Sequence, residues 1–206
     1  TVLARVEPGQ DAVVGPASAR ILSAFHRTGD PNNADHQINA FVWPSASAGD
    51  WQVRLSGRRI RDGRFHAYVE RAGRTQARFT AGTDDPAQTT GSICNGSNTI
   101  VVAAYDHRDS GRAITTFSSA GPTRDGRANP LIAAPGDDIV AARSSSAHPS
   151  GGARRSDGTI KMSGTSMAAP HVTGTVALML QAAGANPLPI AEIRRCLTAT
   201  ARCNPP

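Results

Sequence analysis

With 206 residues, 39% of them hydrophobic, the chain is long enough for one full core, or for a core with a small attached lobe. Its most apolar stretch, VALML, falls far short of the roughly 18 residues a membrane span needs, so the sequence reads as soluble and no membrane partner is expected. The net charge is +6, but the arginines are scattered from Arg5 to Arg202 and aromatics make up only 4% of the chain; lacking a contiguous basic face with stacking aromatics, it is not expected to bind nucleic acid.

No charged, apolar and small-residue leader of signal type follows Thr1, so the chain reads as a processed product or a fragment. Its three cysteines cannot all pair with one another. Cys196 and Cys203 are close enough in sequence to bridge across a helix end, Cys94 stands alone, and a disulfide framework is not expected.

Residues 1–36 mix Gly, Pro, Asn and Ala with short apolar stretches and show no usable periodicity. Four runs with strand-like alternation follow: INAFVWP, WQVRLSG, FHAYVER and TQARFTA, with AGD and IRDG among the separators. They predict a small antiparallel β lobe over residues 1–90, an insertion or accessory layer.

From Gly91 the texture becomes α/β. TIVVAAYD is a continuous apolar run of the kind buried on both faces of a parallel sheet. RAITTFSSAGP and NPLIAAPGDDIVAAR add extended segments punctuated by Gly and Pro, and GTIKMSG leads into a helix. That helix, MAAPHVTGTVALMLQAAG, is small or apolar on nearly all sides and is expected to lie buried in the core, with Gly184 as its terminator. Pro170 is placed early enough for its missing N–H to cost little. PIAEIRRCLTATA predicts a shorter amphipathic helix opened by Pro189 and burying Ile190, Ile193 and Leu197.

The segment Met162 to Gly174, MSGTSMAAPHVTG, crowds small residues around one serine. Thr165 or Ser166 could serve only as a helix cap. Alternatively Ser166 is a nucleophile, set where the helix start offers a backbone N–H and a favourable dipole to an oxyanion. Gly164 permits close backbone approach and Ala168 and Ala169 clear room, none of which a cap requires.

GTSMAAPHVTG resembles the nucleophile motif of subtilisin-like serine peptidases (subtilases). The resemblance extends upstream through FSSAGP and AAPGDDIVAA and covers about residues 91 to 200. It implies a three-layer α/β fold with a mostly parallel sheet, incomplete here, and peptide-bond hydrolysis through an acyl-enzyme on Ser166. The Ser166 N–H supplies half of the oxyanion hole, and Gly164, Thr165 and Pro170, with the AAPG turn that ends at Gly136, form the scaffold around the nucleophile. Secretion is the family-level expectation for location. Where the family usually has an aspartate in the IAAPG segment, this chain has Leu131.

A serine hydroxyl needs a base, and the base needs an orienting group. The subtilase order is an aspartate, a histidine in a His-Gly-Thr-like context, an asparagine after Ala-Ala-Gly, and the serine last. This chain has no His-Gly pair, no Ala-Ala-Gly-Asn and no strand ending in Asp-Thr-Gly. His171 is rotated about 140° from Ser166 on the same helix. His26, His36, His66, His107 and His148 all lack the required context.

The expectation is therefore the C-terminal part of a subtilase catalytic domain, residues 91–206. Its Asp, His and oxyanion Asn lie before Thr1, its partners are a polypeptide substrate and the absent N-terminal half, and by itself it has no turnover. The rival readings are a degenerate subtilase acting as a peptide- or partner-binding module, and a split enzyme. With half a parallel sheet removed, apolar faces stay uncovered and the chain is expected to aggregate or to be partly molten. Asp84-Asp85 and Asp137-Asp138 could contribute to a calcium site, which subtilases often have, but an isolated acidic pair is usually solvated, so no metal or other cofactor is assigned. Asn95-Gly96-Ser97 matches a glycosylation acceptor.

Overall fold

The computed structural model describes residues 1–31, 33–60, 63–70, 76–80, 82–144, 153–154 and 157–202. Contacts divide the chain into two compact units, Thr1–Arg64 and Phe65–Pro206.

The first unit is built on a three-stranded antiparallel sheet in the order β1 (Asp11–Val14), β2 (Leu22–Arg27), β3 (Gln37–Val42). Its register runs Asp11 opposite Phe25 and Leu22 opposite Val42. Of the four strands expected from alternation, only the first, INAFVWP, forms one. WQVRLSG, and the described parts of FHAYVER and TQARFTA, take no strand conformation, and every described residue of 51–60, 63–70 and 76–80 is exposed. Alternation fits a half-buried pleated surface, but a strand needs a partner for its backbone groups, and no described strand lies alongside these segments. β1 and β2 form where the sequence showed no periodicity, because β2 pairs with β1 on one side and with β3 on the other, which supplies those hydrogen bonds.

In the second unit the parallel pair is β4 (Val102–Tyr105) and β5 (Ile132–Pro135), with Val102 opposite Ile132 and Tyr105 opposite Pro135. β6 (Ile139–Ala142) and β7 (Ala153–Arg154) flank β8 (Thr159–Met162) in an antiparallel sheet. Mixed strands, one parallel pair and two helices make this an α/β arrangement. RAITTFSSAGP contributes only an isolated bridge, Ile114 to Tyr105, in place of the extended segment expected there.

The helices are α1 (Thr165–Ala183) and α2 (Ile190–Thr200), with Gly184 at φ 61° ending α1. The core joins Ala104 and Ala134 of the parallel pair to Ala168 and Val172 of α1 and Ile193 and Leu197 of α2. Small residues at 104, 134 and 168 let the helix approach the strands closely. Ile193 and Leu197 are buried as expected and Ile190 is half-buried.

Two expectations for α1 are corrected. It is covered along a single stripe, with Ala168 and Val172 buried and Val176 and Met179 packed against the core, while Leu178 is 67% exposed. An apolar helix is buried all round only where protein surrounds it, and here the described residues cover one side. Pro170 is the sixth helical residue, beyond the free donors of the first turn, so its missing N–H leaves the Ser166 carbonyl without its helical partner. Among the described residues, no helix is long and apolar enough to cross a membrane.

Candidate active site

Ser166 is the second residue of α1 and is exposed. Gly164 precedes the helix at φ 156°, ψ 159°, a conformation essentially restricted to glycine. Its amide donates to the Gly136 carbonyl at 2.8 Å, so the AAPG turn and the turn into α1 are tied together. At Gly136 an added Cβ would lie 2.5 Å from the Ala104 Cβ and 3.0 Å from the Gly164 oxygen. Only glycine permits that approach.

A second tie lies beside the first. The Asp138 amide donates to Ser163 Oγ at 2.9 Å, and Ile139 pairs with Met162 across the β6–β8 ladder. Asp138 itself stands at φ 54°, a left-handed position that aspartate tolerates. Its carboxylate accepts from Lys161 Nζ at 2.7 Å and from the Arg108 guanidinium, which also reaches Asp137 at 2.6 Å and Asp106 at 3.0 Å. The Lys161 hydrogen bond, with the Arg108 charge behind it, holds the Asp138 carboxyl below the usual carboxylate range. The acidic pair Asp137-Asp138 is thus paired with cations. Among the described residues no group of three or more His, Cys, Asp or Glu is placed to hold a metal.

At the helix start, no side chain caps α1. The Met167 amide donates to Gly164 at 2.9 Å, whereas the Thr165 and Ser166 amides have no acceptor among the described residues. The hydroxyls of Thr165 and Ser166 are likewise without a described partner. No acidic residue occupies the first turn, so no carboxylate competes for the positive end of the helix. An exposed hydroxyl beside an unpaired N–H, on a turn bonded at two points to its neighbour, is an arrangement that can attack a carbonyl and receive the resulting oxyanion. It lacks a base.

No described histidine hydrogen-bonds to Ser166. His171 Nδ1 donates to the Met167 carbonyl at 2.9 Å, which fixes the tautomer with the proton on Nδ1. His26 and His36 face one another at 3.0 Å in the first unit, His66 stacks on Tyr68, and His107 is exposed. His148 and Cys203 lie outside the described residues, and with Cys203 the 196–203 bridge that the spacing allows. Cys94 and Cys196 have no disulfide partner among the described residues. At the glycosylation motif, Asn95 Nδ2 donates to the Thr90 carbonyl at 3.3 Å and Oδ1 accepts from Thr90 Oγ1 at 2.9 Å.

Gly164, Thr165, Ser166 and Pro170 lie together at the turn into α1, and the AAPG turn expected beside the serine is bonded to it through Gly136. Sequence reasoning missed Ser163 and Asp138, because nothing in the sequence alone paired them.

Comparison with known proteins matches residues 29–205 to a model described as "Subtilase family". The chain is 42% identical over 91 residues to "Subtilisin-like protease 4" of Trichophyton rubrum, covering 44% of this chain and 18% of that protein. It is 41% identical over 71 residues to "Serine protease/ABC transporter B family protein tagB" of Dictyostelium discoideum, covering 32% of this chain and 4% of that protein. The chain thus spans a minor part of the length of these relatives.

Proposed function

The chain belongs to the subtilase family, and from that premise we propose that it is the nucleophile-bearing part of a subtilisin-class serine endopeptidase. The observation that carries this reading is Ser166, whose hydroxyl and amide have no partner among the described residues at the uncapped start of α1.

In the complete enzyme, Ser166 Oγ bonds to the scissile carbonyl carbon while a histidine outside this chain takes its proton. The carbonyl oxygen becomes an oxyanion that accepts from the Ser166 N–H and from an asparagine that also lies outside this chain. Collapse breaks the peptide C–N bond, the histidine returns the proton to the leaving amine, and water releases the acyl group. The bonds from Gly164 to Gly136 and from Asp138 to Ser163 hold the turn, so Ser166 is oriented before substrate arrives.

The three-layer fold belongs to that complete enzyme. The uncovered flank of α1, with Leu178 67% and Leu180 42% exposed, supports an N-terminal half of the domain as the missing cover.

The test is labelling with a fluorophosphonate probe, on the chain alone and on the chain joined to a subtilase N-terminal half carrying Asp, His and Asn, each beside a Ser166→Ala control. We expect silence from the chain alone and Ser166-dependent labelling of the joined enzyme. Ser166-dependent labelling of the chain alone would mean that a base is assembled within it. Silence of the joined enzyme would favour the degenerate, binding reading.

A further inference from the structure

β2 is the central strand of the first unit, and His26 stands near its end with its backbone held on both sides. Its amide donates to the Gln10 carbonyl at 3.0 Å and its carbonyl accepts from the Gly9 amide at 2.8 Å, while the ladder to β3 sets His26 opposite Ile38. Side chains two apart on a strand share a face, so His36, two residues before Ile38, falls diagonally across from His26 on the same face of the sheet. The two rings meet there, Nε2 of His26 against Nδ1 of His36 at 3.0 Å.

That spacing is also a chelating distance. Imidazole bonds of about 2.0–2.1 Å to a divalent ion, meeting at a right angle, put the two nitrogens about 2.9 Å apart, whereas a tetrahedral angle needs about 3.3 Å. The 3.0 Å between His26 and His36 fits neighbouring positions on a tetragonal or octahedral ion.

The proton inventory allows it. Two N–H groups do not face each other at hydrogen-bond distance, so one of the two near nitrogens already offers a lone pair. The far nitrogens, His26 Nδ1 and His36 Nε2, have no hydrogen-bond partner among the described residues. The shared proton can therefore pass to the far nitrogen of its own ring, which leaves both near nitrogens bare and both rings neutral. A turn of about 45° about each Cβ–Cγ bond, a soft torsion in histidine, aims the two lone pairs at one point.

The surroundings favour a cation. The connection from Thr28 to His36 carries Asp30 and Asp35 and no lysine or arginine. Arg27 projects to the opposite face of the sheet, where its guanidinium lies 5.0 Å from the centre of the Phe25 ring.

We propose that His26 and His36 form a two-point site for a divalent transition ion of the copper(II) or nickel(II) class, with water completing its coordination. The bound ion ties the end of β2 to the start of β3 across the mouth of their connection. Copper(II) binds more tightly than nickel(II) in the general order of divalent affinities, and magnesium and calcium, which prefer oxygen, are not held.

The experiment titrates the full chain with Ni²⁺, which does not oxidise its thiols, and reads the histidine ring resonances by NMR. At about pH 7.5, substoichiometric Ni²⁺ should broaden the His26 and His36 rings together and ahead of the other four histidines. His36 is exposed, and His36→Gln keeps a hydrogen-bonding side chain beside His26 while removing the chelate, so it should weaken Ni²⁺ binding about tenfold or more. Binding should fall by at least as much at about pH 5, because a protonated ring has no lone pair for the metal. Broadening of one ring without the other, or of neither at about 1 mM Ni²⁺, overturns the proposal in the wild-type chain without reliance on any variant. Undiminished affinity in His36→Gln overturns it, and so does undiminished affinity in acid.

Discussion

Substituting alanine for glycine should destabilise the protein at Gly136 and stabilise it at Gly174. At Gly136 the new Cβ would stand 2.5 Å from the Ala104 Cβ, 3.0 Å from the Gly164 oxygen and 3.2 Å from the Ala168 Cβ. Carbon atoms settle at about 3.5–4.0 Å, so β4, the turn into α1 or the helix itself must retreat by about 1 Å. Ala104 and Ala168 are fully buried, which leaves no flexible side chain to absorb the shift. Overpacking of this kind costs about 1–3 kcal/mol. Stretching the 2.8 Å bond from Gly164 to Gly136 adds about 1 kcal/mol. We expect Gly136→Ala to destabilise by about 2–4 kcal/mol, a large share of the roughly 5–15 kcal/mol typical of domains. Gly174 lies inside α1 with nothing within 4 Å of its added Cβ, so Gly174→Ala should stabilise by about 0.5–1 kcal/mol through helix propensity. Urea titration followed by far-UV ellipticity at low protein concentration reads both. Equal effects at the two positions, or a cost below about 0.5 kcal/mol at Gly136, would refute the close-approach account.

The leucines provide a second contrast: Leu197 is 5% exposed and Leu178 67%, so Leu197→Ala should cost about 2–5 kcal/mol and Leu178→Ala less than about 0.5 kcal/mol in the same titration. Replacing Leu178 and Leu180 by Gln should lower light scattering at high protein concentration, because both lie on the uncovered flank of α1. Ser163→Ala removes the acceptor of the Asp138 amide and should cost about 1 kcal/mol, whereas Ser163→Thr, which keeps the hydroxyl, should recover part of it. The Arg195 guanidinium holds the Glu192 carboxyl at about 2, below its ordinary 4.5. A depressed carboxyl stabilises the fold above its unfolded value and loses that contribution as pH falls through the folded one. The stability gap between wild type and Glu192→Gln should therefore narrow from pH 5 to pH 2. A gap constant across that window would exclude the ion pair as its source.

Local order of small residues, turn formers and apolar runs was sufficient to place the turn that carries Ser166 and both helices. Gly164, Thr165 and Ser166 announce a strand-to-helix turn because a glycine that can take the required backbone angles and small residues that leave room stand within a few positions of one another. The periodicity of Ile190, Ile193 and Leu197 fixed the buried face of α2, since a helix supplies its own backbone partners and its pattern survives whatever surrounds it. Strands do not have that independence. WQVRLSG and FHAYVER alternate as well as INAFVWP does, yet only the last found a neighbour, and no local pattern says which neighbour will be there. For the same reason apolar composition around all of α1 could not tell which side would be covered; Ala104 and Ala134 cover one stripe and leave Leu178 outside. The close approach at Gly136 and the pairing of Ser163 with Asp138 join residues tens of positions apart. Those are facts of packing, and only the tertiary structure decides them.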